Sequence, residues 1–225
     1  MAPGGNFDLS VWSLQLPIGQ PGAPLTISPA ELQGPDGFTD PAYFWTDDND
    51  GSMTMWGPEA GVTTPNSRYA RTELREMNSD GSAADWPQTG THRLSARLRV
   101  VSVTKSVAVG QILLGSGGPS TKPLVELYYA ADGTITLGAA RSPAGGQKRY
   151  EVGEVPLGQS WDYVIAVTGG RVELTINGST TTYRIPASFD PYRQYFKAGA
   201  YNQSRSRSTI KGAKVQFSSL TVTHS

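Results

Sequence analysis

The 225-residue chain contains no cysteine. That excludes a disulfide framework, a thiolate metal site and a cysteine nucleophile. Neither sign of charge is in excess, since 19 basic and 19 acidic side chains cancel to a formal net charge of +0. A neutral chain is not drawn as a whole to nucleic acid or to an anionic membrane surface, so any attraction for a polyanion has to come from a local patch. No apolar run approaches the roughly 20 residues that cross a bilayer. Histidine is scarce, with only His92 and His224 available for imidazole chemistry. Runs of Ala, Leu, Glu and Lys that would build long amphipathic helices are also missing. Met1-Ala2-Pro3-Gly4-Gly5 lacks the basic and apolar regions of a secretory leader, which leaves either a cytoplasmic protein or a mature form with a replaced start.

What the chain does have is turn chemistry: 26 glycines and 16 prolines, with only 17% charged residues. Short alternating segments recur along it. Leu94, Ala96, Leu98 and Val100 share one side of a segment whose other side carries Arg93, Arg97 and Arg99, as a half-buried strand requires. Similar segments are read at 14–18, 43–46, 52–56, 107–114, 124–129, 134–139, 163–167, 172–176, 181–185 and 213–222. Ala131-Asp132-Gly133 and Asn177-Gly178 sit at hairpin positions. Ser28-Pro29 suits the start of one helical turn. Asp47-Asp48-Asn49-Asp50-Gly51 reads as a turn, because the twelve-residue calcium loop with its closing glutamate is absent. More than ten strands without a long helix imply an all-β, antiparallel two-sheet sandwich of jelly-roll type, spanning residues 1–225 as one domain.

Two segments carry chemistry. In Arg71-Thr72-Glu73-Leu74-Arg75 the charged residues alternate, so a strand places Arg71, Glu73 and Arg75 on one face. In Tyr195-Phe196-Lys197-Ala198-Gly199-Ala200-Tyr201-Asn202-Gln203, Tyr195, Lys197 and Tyr201 share a face if the strand is irregular near Gly199. Together they offer guanidinium, ammonium and phenol groups to an anionic sugar polymer. Tyr195 and Phe196 are read as packing residues, and one or two of the five tryptophans are candidates to stack on sugar rings. Ser204-Arg205-Ser206-Arg207-Ser208 superficially suggests nucleic acid, but a neutral chain without the RNA-motif aromatics argues against it. His224 is expected to fray at the terminus, and His92 to be structural.

With these motifs in their order, and with the lead-in Thr64-Pro65-Asn66-Ser67-Arg68-Tyr69-Ala70 and the early Leu16-Pro17-Ile18-Gly19, the chain resembles the alginate lyases of polysaccharide lyase family 7 nearly end to end. More distantly it is similar to the glucuronan lyases. The resemblance implies a jelly roll whose concave sheet forms a groove for an acidic polysaccharide, cleaved by β-elimination without cofactor or metal. It implies that Arg71 and Gln111 hold the uronate carboxylate and that Tyr201 transfers the proton. Arg75 and Lys197 would bind neighbouring carboxylates, Glu73 would orient the arginines, and Asn202 and Gln203 complete the motif on the substrate side. It implies a secreted enzyme, read here without a leader, and a monomer with no nucleic-acid or membrane partner.

One position departs from the pattern. The family's Gln-Ile-His or Gln-Val-His motif reads Gln111-Ile112-Leu113, and leucine is neither base nor hydrogen-bond donor. Three readings stay open: a lyase that uses Tyr201 alone, an inactivated form, or a polyuronate-binding protein. In β-D-mannuronate and β-D-glucuronate the C5 hydrogen and the C4 oxygen lie on one ring face, so one tyrosine suffices. In α-L-guluronate they lie on opposite faces. Mannuronate-type or glucuronan linkages are therefore the expected substrates, with low turnover. Tyr201, with an ordinary pKa near 10, needs cationic neighbours to act as a base; Arg71, Arg75, Lys197, Arg205 and Arg207 are the candidates. A glycoside hydrolase using Glu73 and Glu126 as a carboxylate pair is a weaker alternative.

Overall fold

The computed structural model describes residues 1–225. In chain order its strands are β1 (Trp12–Gln20), β2 (Ala23–Ile27), β3 (Phe44–Thr46), β4 (Met53–Pro58), β5 (Arg71–Glu76), β6 (Thr91–Val103), β7 (Ser106–Leu114) and β8 (Pro123–Ala130). They continue as β9 (Thr134–Ser142), β10 (Gly145–Glu154), β11 (Ser160–Thr168), β12 (Arg171–Ile176), β13 (Ser179–Arg184), β14 (Gln194–Asn202) and β15 (Gly212–His224). A single α-helical turn, α1 (Pro29–Leu32), starts as its sequence suggests, with Pro29 in the first turn and Glu31 reaching back to the Ser28 amide at 2.9 Å. No helix is long and apolar enough to cross a membrane.

Two sheets form the sandwich. One has eight strands in the order β10-β9-β8-β7-β14-β5-β1-β2, and the other has seven in the order β13-β12-β11-β6-β15-β4-β3. This is the all-β jelly roll expected from the strand spacing. Alternation explains how the sheets pack. Leu94, Ala96, Leu98 and Val100 of β6 are buried, while Arg93 and Arg97 between them are exposed. The inward faces merge into a core that includes Trp12, Leu74, Ile112, Trp161, Phe196 and Phe217.

The groove-bearing sheet is distorted where the site lies. Opposite β7, β14 shifts register between Ala198 and Tyr201, the irregularity foreseen near Gly199. Glycine is required there, because a Cβ would sit 2.6 Å from the Thr72 carbonyl oxygen and 2.7 Å from the Glu73 Cα. β7 shifts in turn against β8 between Ala108 and Gly110. Two strands, β2 and β10, were not anticipated. β10 carries Gln147, Lys148, Arg149 and Glu151 and has too little apolar alternation to betray it.

His224 is not frayed. It pairs with His92 across β15 and β6, and its Nε2 lies 2.6 Å from the Glu76 carboxylate. The same carboxylate accepts from the Trp86 indole at 2.9 Å and from the Phe196 amide at 2.7 Å. Trp86 stacks on His92 at 4.2 Å. This polar plug joins β5, β14 and the ends of β6 and β15. Removing Glu76 strands buried donors, which costs about 1–3 kcal/mol for each group left unpaired. Glu76→Ala is therefore expected to lower unfolding stability by about 3 kcal/mol in urea titration. A change below about 0.5 kcal/mol would remove the plug from the list of stabilising features.

Candidate active site

The outward face of the eight-stranded sheet is a groove of about 760 Å³. Its floor comes from β1, β5, β14, β7 and β8, and its rims from the loop holding Asn66 and Ser67 and the loop holding Pro119 to Pro123. Antiparallel register puts the chemistry side by side. Lys197 lies opposite Arg75 and Tyr201 opposite Arg71 across β14 and β5. Lys197 also faces Gln111, and Tyr195 faces Leu113, across β14 and β7. On β8, Glu126 lies opposite Gln111.

Glu73 is the centre of this floor. Its carboxylate is buried and accepts from Arg71 Nη1 at 3.0 Å and Lys197 Nζ at 2.9 Å through Oε2. Gln111 Nε2 donates to Oε1. Burial works against the charge on Glu73, but Lys197 and Arg71 overcome it, and its carboxyl titrates below the ordinary glutamate value. Lys197 is held below the usual lysine value by burial, with Glu73 opposing the shift. Arg71 gives Nη2 to Ser67 Oγ at 2.6 Å. Its Nε is buried and has no protein partner.

Tyr201 lies against this cluster. The Arg71 guanidinium carbon is 3.6 Å from its ring centroid. Burial pushes the phenol above its ordinary value; Arg71 favours the phenolate, while the charges of Glu73 and Glu126 work against it. The expected cationic field is thus only partly present, and Arg205 and Arg207 are exposed. Leu113 is half-buried and lines the groove.

Most of the residues picked from sequence converge here, with corrections. Arg71, Gln111, Lys197, Tyr201 and Gln203 line the groove. Glu73 orients Arg71 and Lys197 beneath the surface but does not touch Arg75. Arg75 lies over the Tyr195 ring at 4.0 Å and donates to the Glu76 carbonyl at 2.8 Å. Asn202 does not line the groove: it is buried and bonded to the Pro58 and Ser204 carbonyls at 3.2 and 2.8 Å, because it sits one residue out of phase with Tyr201. Tyr195, read as packing, lines the groove, and none of the five tryptophans does. Gln111 is buried, but its partner is a side chain rather than backbone. Glu73, enclosed by two cations, is closed to hydrolase chemistry. Ser67 was quoted without a role, and Tyr128 and Gln147 were missed. The signal for this second group was a lone glutamate in the apolar run Leu124–Tyr129.

The alginate lyase family profile matches residues 7–224. The chain belongs to the alginate lyase family. Over its whole length it is similar to alginate lyase A1-II', a member of polysaccharide lyase family 7, at 35% identity and TM-score 0.88, covering 99% of that chain. It is also similar to alginate lyase PA1167 of Pseudomonas aeruginosa, at 34% identity and TM-score 0.88, with 97% of this chain and 100% of that one covered. An alginate lyase of Klebsiella pneumoniae is 25% identical, covering 99% of this chain and 91% of its own. Alginate lyase A1-II' is known in complex with a product and with a substrate oligosaccharide. Membership of this family makes the chain a polysaccharide lyase.

The buried ion cluster sets a stability test within this alginate lyase fold. Removing one partner of a buried charge pair costs about 3–5 kcal/mol, because the remaining charge is uncompensated. Glu73→Ala is expected to lose that much in urea unfolding at neutral pH. Since the Glu73 carboxyl is held low, the contribution is present above the unfolded glutamate value of 4.5 and is lost as pH falls through the folded one. The gap between wild type and Glu73→Ala should therefore narrow in acid. A gap that is constant with pH would contradict the charge as its origin.

Proposed function

We propose that this chain cleaves mannuronate-type linkages of alginate by syn β-elimination, with Tyr201 as the single proton-transfer residue. The observation that carries the reading is the convergence of Arg71, Gln111, Lys197 and Tyr201 on one groove floor, with Leu113 where a second base would stand. The uronate carboxylate binds against Arg71 and the free amide hydrogen of Gln111, which offset the negative charge that develops as C5 loses its proton. Tyr201, as phenolate, takes the C5 proton. The electron pair becomes the C4–C5 double bond, the C4–O bond breaks, and the leaving oxygen takes the proton back from Tyr201. The phenolate is restored, and no water is consumed. Lys197 lies near enough to hold a neighbouring sugar carboxylate. Such a polymer does not cross a membrane, so action outside the cell belongs to the proposal, as does a monomeric enzyme.

Ultraviolet absorbance of the conjugated product separates the alternatives. Wild type is expected to release unsaturated ends from polymannuronate and none from polyguluronate. Glucuronan, with the same arrangement at C4 and C5, tests whether the groove selects by the C2 configuration. Tyr201→Phe should lower kcat on the order of a thousandfold. Leu113→His should add activity on polyguluronate. Efficient polyguluronate cleavage by wild type would sink the syn-only reading. Binding of all three polymers without any absorbance would make the chain a polyuronate binder.

A further inference from the structure

Glu126 is a buried carboxyl on the groove floor that the elimination, as described, does not use. Its setting is built. The Tyr128 hydroxyl donates to Oε2, and Gln147 Nε2 donates to the same oxygen at 2.9 Å and contacts the Tyr128 hydroxyl oxygen at 3.2 Å. Gln147 reaches Glu126 from β10, across the whole width of β9. It can do so because the residue between them is Gly138, where a Cβ would fall 2.2 Å from the Gln147 amide carbon. Arg149 then covers the Tyr128 ring at 4.5 Å. One oxygen is thereby fixed by two donors, while Oε1 has no protein partner and is not sealed off. Directly opposite residues on antiparallel strands have Cβ atoms about 4.5–5.5 Å apart. Glu126 therefore neighbours Gln111 on the same face, the amide assigned to the substrate carboxylate.

A carboxylate in that place would repel the group it faces. A carboxylic acid would attract it. We propose that Glu126 is a further catalytic residue: as a neutral acid it donates from Oε1 to the uronate carboxylate beside Gln111, sharing the charge that develops when C5 is deprotonated. The hydrogen bond strengthens in the transition state and no net proton is transferred through it. The proposal rests on the elimination described above.

The charges around Glu126 fit this role. Burial is the main cause that raises its carboxyl above the ordinary glutamate value; Tyr128 and Gln147 oppose the rise, Glu73 on β5 adds to it, and Arg71 opposes it. Tyr201 on β14 also feels its charge. From the rim, the Lys122 ammonium, which lines the same groove, is tied to the Ala144 carbonyl. On β9, uncharged Gly138 and Ala140 lie on its side. An arriving uronate adds another negative charge and raises the carboxyl further.

Two measurements test the role. On polymannuronate, wild-type kcat should rise with pH as the Tyr201 phenolate grows and level off once Glu126 ionises, because each gain in phenolate is then offset by loss of the acid. In Glu126→Gln the levelling-off should vanish and the rise continue, because the amide still donates and does not ionise. Glu126→Ala, with no donor, should lose roughly 10- to 100-fold in kcat, the equivalent of one charge-assisted hydrogen bond. A levelling-off unchanged in Glu126→Gln, or Glu126→Gln as impaired as Glu126→Ala, would overturn the proposal. The second measurement is calorimetry of oligomannuronate binding to Tyr201→Phe in buffers of different ionisation heat. Proton uptake is expected there and should disappear in Tyr201→Phe with Glu126→Gln; equal uptake in both overturns the proposal. If wild type cleaves no polyuronate, the elimination fails instead, and proton uptake still reports on Glu126.

Discussion

Everything on the groove floor depends on a single buried carboxylate, Glu73. Enclosed beneath the sheet surface, it is stable only because Arg71 and Lys197 bring two positive charges to one of its oxygens and Gln111 brings an amide to the other. Removing charges from water is expensive, and the attraction repays it only when geometry is good on every side. That demand fixes three side chains from three adjacent strands, β5, β14 and β7. Their upper surfaces then form the preset receptor that the proposed function assigns to a uronate carboxylate. Catalysis by electrostatic preorganisation needs such rigidity, since donors already in place do not reorganise when charge develops.

The second constraint is register. Tyr201 can face the groove together with Lys197 only if β14 follows β5 without a slip, and it does. The irregularity is displaced to the other side, against β7, while on the β5 side Gly199 lets the backbone approach Thr72 and Glu73. A one-residue slip would turn Tyr201 into the core and bring Asn202 out. The polar plug of Glu76, Trp86, His92 and His224 stands at the core-facing side of the same strands, with the Glu76 carboxylate tying Phe196 of β14 to β5.

The two-sheet sandwich was legible in the sequence, because one-sided burial writes a period of two into strands such as β6. The floor residues of β5 and β14 were legible for the same reason: a charge at every second position has few uses in a strand. Asn202 was misassigned because motif membership ignores phase. β10 was invisible because only Tyr150 and Val152 alternate on its inner face, too few to write a period. That omission had a consequence for the site, since β10 brings Gln147 to Glu126, and from sequence that glutamate was weighed only as a carboxylate partner of Glu73. Tyr195 and the tryptophans were misplaced because aromatic residues serve core and groove equally well, and only the sheet face decides between them.

Leu113 gives this groove its character. In the proposed mechanism, leucine at this position leaves Tyr201 as the single proton-transfer residue, on one side of the sugar ring, with charge neutralisation assigned to Arg71, Gln111 and the carboxyl of Glu126. The central claim is that bond breaking here is elimination driven by Tyr201, and its most direct test uses the products themselves. Oligomannuronate digested in heavy-oxygen water should give fragments with an unsaturated uronate at the new non-reducing end and no heavy oxygen incorporated during cleavage. Saturated fragments carrying the label would mean hydrolysis, and intact oligosaccharide would mean binding alone; either result would contradict the claim.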